Sequence, residues 1–201
     1  MIIYFYFNEL NIKLRVRMES RKINLFVFIF ILSATALFFN SCGKNPEEVK
    51  MQKSIKYFNT GIIFADSGNY DKAIKYFSYT IKLNPKDSLA YFNRAVAEHN
   101  IGQYKKAIED YTEAIELNEE DDEAYNNRAL AKIKLEDYRG AIADFTEAIK
   151  LNPKVADYYF NRAEVLKKLD YLDGACLDWS KAGELGMDKA YELIKENCNN
   201  Q

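Results

Sequence analysis

The chain has 201 residues, of which 48% are hydrophobic and 29% are charged, a balance typical of one folded domain or a short repeat array and not of a disordered protein. Only 8 glycines and 3 prolines are present, too few for the turns of a β-sandwich or β-barrel of this length, so helices are favoured. The 28 basic and 30 acidic residues, 3 cysteines and 1 histidine argue against a nucleic-acid-binding protein, a disulfide scaffold and a histidine-based metal site.

An uncharged apolar segment, Leu25 to Phe39, follows Arg21 and Lys22 near the N-terminus. A membrane-spanning helix needs about 20 apolar residues, and a shorter core after basic residues is typical of a secretory signal. The alternative is an N-terminal anchor that is not cleaved. A signal that begins at Met18 would have ordinary proportions, so Met18 is a candidate for the true start of the protein.

The sequence Asn-Ser-Cys-Gly at residues 40–43 follows this apolar segment and is similar to the lipobox of bacterial lipoproteins, although Phe39 stands where that motif usually has leucine. In lipoproteins the peptidase cuts before the cysteine, which then carries lipid. The resemblance implies a signal region over residues 1–41. Residues 42–53 then consist of the lipidated Cys42 and a polar tether. It also implies a bacterial cell envelope location, with the outer membrane favoured over the inner and the body in the periplasm or at the surface. If the segment is instead an uncleaved anchor, Cys42 carries no lipid and its position after the apolar segment is a coincidence.

From Ser54 onward the sequence repeats every 34 residues without gaps, in rows that begin at Ser54, Ser88, Asp122 and Ala156. Row position 4 is always tyrosine, position 8 is glycine or alanine, position 20 is alanine, position 24 is aromatic and position 27 is threonine or alanine. Each row contains two apolar stretches of helical period. Because one row cannot bury its apolar face alone, such rows are expected to stack into a solenoid.

These columns resemble the tetratricopeptide repeat, from which they depart at position 7, where leucine is usual and three rows have arginine. The resemblance implies an all-α, right-handed solenoid of helical hairpins. Its four repeats are expected at residues 54–87, 88–121, 122–155 and 156–187. The amphipathic segment from Asp188 to Asn197 is predicted to cap the last repeat, so that residues 188–201 form a capping helix and tail.

Arginine at row position 7 and aspartate at position 23 occur together in rows two to four, and both are absent from the first row. If each arginine pairs with the aspartate of its own row, every arginine has a partner. If each aspartate pairs instead with the arginine of the next row, Arg94 and Asp178 are left without a partner. We therefore predict structural ion pairs, in preference to ligand-binding charges. The pairs are Arg94–Asp110, Arg128–Asp144 and Arg162–Asp178.

Row positions 2, 5, 9, 12 and 13 share one side of the first helix of each row. In the tetratricopeptide family this side lines the concave groove where peptides bind, so the resemblance implies a partner-binding groove. The candidate groove residues are Ile55, Phe58, Ile62, Leu89, Phe92, Val96, His99, Asn126, Leu130 and Phe160. In the first two rows they form an apolar patch that we expect the fold to leave exposed, which favours a protein or peptide partner. Alternatively, the segment before Ser54 folds back over the patch, or a second copy covers it.

The resemblance implies a protein-binding adaptor tethered to the membrane by its lipid. Lysine at position 5 and asparagine at position 9, with which one subtype of the family grips a C-terminal carboxylate, are absent. The sequence shows no nucleophile elbow, phosphate loop, metal motif or cofactor motif, which disfavours a cell-wall-active enzyme. A fixed structural subunit of an envelope complex, whose groove is permanently filled, remains as the other alternative.

Two cysteines remain if Cys42 carries lipid. Cys176 occupies row position 21, where the other rows have isoleucine, so we expect it to face the interior beside the capping helix. Cys198 lies at the end of that helix, and an exported protein can form disulfides. We predict a disulfide between Cys176 and Cys198. The alternative is that Cys176 is simply a small buried hydrophobic residue and that Cys198 is a free thiol in the tail.

Overall fold

The computed structural model of this chain describes residues 45–198, and its regular structure there is helical. The signal region, Cys42 and the first residues of the expected tether lie outside the described residues. The helices are α1 Pro46–Asp66, α2 Tyr70–Leu83, α3 Ser88–Asn100, α4 Tyr104–Leu117, α5 Asp122–Lys134, α6 Tyr138–Leu151, α7 Ala156–Lys168, α8 Leu172–Glu184 and α9 Asp188–Asn197. Among residues 45–198, none of these helices combines the length and the hydropathy needed to cross a membrane.

The helices follow the 34-residue rows. The pairs α3–α4, α5–α6 and α7–α8 each lie within one row, and α1–α2 covers the first row, with α1 beginning before it. Each second helix from α2 onward also packs against the helix that follows it. The predicted fold class, an all-α solenoid of four helical hairpins with a capping helix, is confirmed. We number the repeats one to four in chain order.

The turn inside each hairpin depends on row position 15, where the backbone φ is positive in all four repeats. The angles are 74° at Gly68, 78° at Gly102, 62° at Glu136 and 62° at Asp170. Glycine adopts this left-handed conformation freely, whereas other residues strain by about 1 kcal/mol or more. The first two turns are therefore relaxed, and the last two hold a side chain in a conformation that it disfavours.

The core consists of aromatic rings packed among alanines. The position 24 rings of Phe77, Tyr111, Phe145 and Trp179 are at most 1% exposed. The alanines at position 20 are fully buried, as are the threonine and alanines at position 27. Small residues let helix axes approach closely, and the rings fill the remaining space.

Adjacent repeats meet through row position 10. Ala97 of repeat two clusters with Ala73 and Phe77 of repeat one. Ala131 and Val165 make the equivalent contacts with repeats two and three. Repeats two to four therefore each bury the position 10 side chain against the repeat before them.

The two ends of the solenoid differ. At the C-terminus, α9 has the predicted bounds; its Ala190 is fully buried, and Leu193 and Ile194 pack on the cluster around Trp179. At the N-terminus, α1 begins at Pro46, so residues 46–53 of the expected tether form about two further helical turns. This part of the segment continues α1 and does not fold back over the apolar patch.

Candidate partner-binding site

All ten candidate groove residues lie on the first helices of the repeats: three on α1, four on α3, two on α5 and one on α7. We call the surface that they form the groove face. Ile55 and Leu89 are 52% and 56% exposed, and the other eight residues are half-buried. The groove face therefore has two prominent apolar side chains, one on each of the first two repeats.

The half-buried aromatic residues of the groove face rest on the core. The ring centres of Phe58 and Phe77 are 5.7 Å apart, and those of Phe92 and Tyr111 are 5.8 Å apart. The small residue at row position 8, which is Ala95 in repeat two, leaves room for the ring at position 5 to reach the second helix. Phe58 and Phe92 therefore support the core and also form the floor of the groove face.

The expectation that the fold leaves the whole apolar patch exposed is wrong for four of its residues. Phe58 and Ile62 pack on the cluster of Phe77, and Phe92 and Val96 pack on the cluster of Tyr111. Helical periodicity gives the direction of each side chain but not its length, and these side chains are long enough to reach back to the core. Only Ile55 and Leu89 match the expected exposure.

The groove face becomes more polar from the end of α3 onward. The His99 ring lies edge-on to Tyr104 at 5.2 Å, and burial, with a smaller effect from Lys134, lowers the pKa of His99. Asn126 donates from Nδ2 to Asn127 Oδ1 at 3.2 Å, while its buried Oδ1 has no hydrogen-bond partner within residues 45–198.

The last two groove residues are partly covered. Leu130 packs against the cluster of Phe145. Lys189 of the capping helix places its Nζ 5.2 Å from the ring centre of Phe160. The accessible apolar part of the groove face is therefore confined to repeats one and two.

Beside the groove face, each arginine at row position 7 binds the aspartate of its own repeat with two N–H groups. Arg128 Nη2 donates to Asp144 Oδ1 at 2.7 Å, and Nε donates to Oδ2 at 3.0 Å. The same fork joins Arg94 to Asp110 and Arg162 to Asp178. These are the pairings that the alignment of the rows predicts.

Each of these arginines also binds the preceding repeat, a contact that the sequence analysis missed. Nη1 of Arg94, Arg128 and Arg162 donates to the hydroxyl of Ser78, Thr112 and Thr146 at 3.0 to 3.1 Å. The hydroxyl itself is visible in the sequence, because row position 25 carries one in every row, but the rows alone do not identify its partner. The arginines therefore link neighbouring repeats as well as the two helices of one repeat.

Row position 11 adds a different charge to each of the two middle repeats. In repeat three, Lys132 Nζ lies 2.7 Å from Asp144 Oδ2. In repeat two, the equivalent Glu98 is 5% exposed, and its buried Oε2 has no hydrogen-bond partner in the described part of the chain. Burial and the negative charge of Asp110 raise the pKa of Glu98 to about 7, against the opposing effects of Arg94 and Lys106.

The structure joins Cys176 to Cys198 in a disulfide, with Cα atoms 6.0 Å apart. Both residues pack on the cluster of Trp179 and Ala190, so the bridge fastens the end of α9 to α8. No group of three or more histidine, cysteine, aspartate or glutamate side chains within residues 45–198 could hold a metal ion.

Comparisons with known proteins agree with this architecture. Sequence models of the tetratricopeptide repeat match residues 55–87, 88–121 and 122–155. A crystal structure of MamA protein is similar, with 24% identity, a TM-score of 0.69, and coverage of 73% of this chain and 81% of that one. The second tetratricopeptide domain of human RPAP3, in complex with the HSP70 peptide SGPTIEEVD, is 26% identical, with a TM-score of 0.56 and coverage of 58% and 97%. The tetratricopeptide domain of Arabidopsis OM64 is 27% identical, with a TM-score of 0.58 and coverage of 59% of this chain and 98% of that one. No curated protein matches the chain in sequence.

Proposed function

The chain belongs to the tetratricopeptide repeat family, and from this premise we propose that it is a membrane-tethered adaptor of the bacterial cell envelope. In this proposal the groove face of repeats one and two binds a segment of a protein partner. The observation that carries the proposal is the pair of exposed side chains Ile55 and Leu89, which stand beside the floor formed by Phe58 and Phe92. Exposed apolar groups around a packed aromatic floor are typical of protein interfaces.

The chemistry of the groove face favours an apolar partner segment over an acidic C-terminal tail. The RPAP3 domain is in complex with a peptide that ends in Glu-Glu-Val-Asp. In this chain, row position 5 is Phe58, Phe92, Asn126 and Phe160, so it offers no cation to a terminal carboxylate.

Site-specific photocrosslinking in intact cells tests the groove face. A photoreactive phenylalanine analogue replaces Leu89 or Ile55 in separate experiments, and it replaces Leu177 as the matched control. Leu177 is an apolar residue that is 73% exposed, but it lies on the second helix of repeat four. The proposal expects one protein to be crosslinked from both groove positions and not from the control. Equal crosslinking from Leu177, or none from Leu89 and Ile55, would contradict it.

The membrane tether rests on the sequence around Cys42 and has its own test. Mass spectrometry of the membrane-bound protein is expected to show a chain that begins at Cys42. This cysteine is expected to carry two or more acyl chains, because a single chain anchors a protein only marginally. A Cys42→Ala variant is expected to accumulate as the unprocessed precursor. An unmodified Cys42 in the wild-type protein would disprove lipidation and leave the uncleaved anchor as the explanation.

A further inference from the structure

The N-terminal end of the solenoid exposes a position that every later repeat buries. Ile63, at row position 10, is 66% exposed, whereas Ala97, Ala131 and Val165 at the same position are at most 4% exposed. The later residues are covered by the preceding repeat, whereas no repeat precedes repeat one within residues 45–198. The C-terminal end is covered by α9, so within residues 45–198 the two ends are not equivalent.

Aromatic rings take the place of the arginine–aspartate pair at this end. Repeat one has Thr60 and Tyr76 at positions 7 and 23. Tyr76 stacks on Phe64 with ring centres 5.3 Å apart and meets Tyr79 at 6.0 Å, and the rings of Tyr57 and Tyr79 are 5.2 Å apart. Tyr79 is 39% exposed, so the cluster reaches the surface of the protein.

Lysines surround this cluster. The Nζ atoms of Lys53, Lys72 and Lys75 lie 5.7, 5.0 and 5.9 Å from the ring centres of Tyr57, Phe64 and Tyr79. The three lysines lie in two stripes of helical spacing that contain no aspartate or glutamate. The stripes are Val49, Lys53, Lys56, Thr60 and Ile63 on α1, and Lys72, Lys75, Tyr76 and Tyr79 on α2. We call this surface the N-terminal face.

The first repeat, with its helical extension, also differs from the rest of the chain in net charge. Residues 45–87 contain 7 lysines and 5 acidic residues, a formal charge of +2. Residues 88–201 contain 15 basic and 23 acidic residues, a formal charge of −8. If two copies met through their N-terminal faces, lysine would oppose lysine, so the charge disfavours a symmetric dimer and favours an anionic partner.

This inference rests on the membrane tether of the proposed function. In either interpretation of the N-terminus, lipid on Cys42 or an uncleaved anchor ending at Phe39, the attachment to the bilayer would come a few residues before Pro46 in the sequence. The four residue steps from Cys42 to Pro46 span at most about 14 Å. We propose that the N-terminal face docks on an anionic phospholipid surface, with its lysines at the headgroups and its tyrosines and Ile63 at the interface.

Vesicle sedimentation tests this proposal without the lipid anchor. The protein used is residues 43–201, because residues 47–201 form a compact unit with its own core. Vesicles contain phosphatidylcholine alone or phosphatidylcholine mixed with phosphatidylglycerol. We expect binding to the anionic vesicles only, weakened by added salt. Because each lysine near an anionic surface contributes about fivefold in affinity, Lys53→Glu, Lys56→Glu and Lys75→Glu together are expected to abolish the binding.

The matched control carries the same change of charge elsewhere: Lys105→Glu, Lys154→Glu and Lys195→Glu, all at exposed positions outside repeat one. This variant is expected to retain most of the binding, and circular dichroism checks that both variants are folded. Equal loss in the two variants, or no binding of the wild type to anionic vesicles, would overturn the proposal. A dimer in sedimentation equilibrium that is disrupted by Ile63→Asp, without vesicle binding, would show instead that a second copy covers the face. None of these outcomes depends on the groove face.

Discussion

Arg128 Nη1 donates a hydrogen bond of 3.1 Å to Thr112 Oγ1, and this bond crosses from repeat three to repeat two. The same guanidinium binds Asp144 of its own repeat, so one side chain connects three helices. In a solenoid each repeat contacts only its neighbours, and its stability depends on such interfaces. The arginines therefore contribute to the coupling between repeats.

We predict that the loss of an arginine has different consequences in repeats three and four. In Arg128→Met, Asp144 keeps Lys132 at 2.7 Å, whereas in Arg162→Met, Asp178 loses the only cation that pairs with it within residues 45–198. An unpaired buried carboxylate destabilises a protein by about 3 kcal/mol or more, so the substitution at Arg162 is expected to be the more harmful. Urea unfolding measures both. Equal losses in the two variants would show that Lys132 does not compensate.

The alignment of the rows predicted the ion pairs but not their hydroxyl partners, for a physical reason. Arginine and aspartate are absent together from repeat one, and this co-occurrence reveals a contact within a row. Thr112 contacts a residue of the following row, and Ser180 carries the same hydroxyl in repeat four, which is followed by the capping helix α9. The hydroxyl column therefore extends beyond the arginine column, and its role emerges only when the packing of adjacent repeats is known.

The groove face gives a second prediction, based on the difference between Leu89 and Phe92. Leu89→Ala is expected to change the free energy of unfolding by less than about 0.5 kcal/mol, because Leu89 is 56% exposed. Phe92→Ala removes the contact with Tyr111 and is expected to destabilise the protein by about 2 kcal/mol. Both variants should lose crosslinking from Ile55 to the partner. A neutral Phe92→Ala would mean that its ring does not support the core.

The buried carboxyl of Glu98 predicts a pH dependence of stability in repeat two. Its folded-state pKa of about 7 lies above the usual 4.5, so its contribution to stability is complete below about pH 4.5 and is lost as the pH rises through about 7. Glu98→Gln stays neutral at every pH. At about pH 8 the variant is expected to be more stable than the wild type by roughly 1 to 3 kcal/mol, and the difference should vanish near pH 4. Urea unfolding across this range checks it, and a constant difference would exclude Glu98 as the titrating group.

Gly61 shows where an alignment of repeats misleads. Rows two to four have alanine at this position, and alanine is the better helix former by about 1 kcal/mol. In repeat one, however, an added Cβ would lie 2.6 Å from Cε1 of the fully buried Phe77 ring. Gly61→Ala is therefore expected to destabilise the protein by about 1 to 2 kcal/mol in thermal or urea unfolding.

A second substitution separates this clash from other effects of Gly61→Ala. In Phe77→Leu the side chain is smaller, so Gly61→Ala on that background is expected to be neutral or stabilising. The same loss of stability on both backgrounds would show that the Phe77 ring is not the cause.

The disulfide predicts how the C-terminal cap behaves on reduction. Because the bridge joins Cys176 to Cys198 and the loop that it closes contains all of α9, its loss frees the last helix to fray. A loop of this size contributes about 3 kcal/mol in the chain-entropy estimate.

Thiol titration of residues 43–201 under native conditions is expected to find no free thiol before reduction and two after it. Hydrogen exchange is expected to accelerate at α9 on reduction, while α3 and α4, which make no contact with the bridge, keep their protection. Cys198→Ala should reproduce the fast exchange of α9 without any reductant, and protection of α9 that is unchanged in this variant would show that packing of Ala190 alone holds the cap.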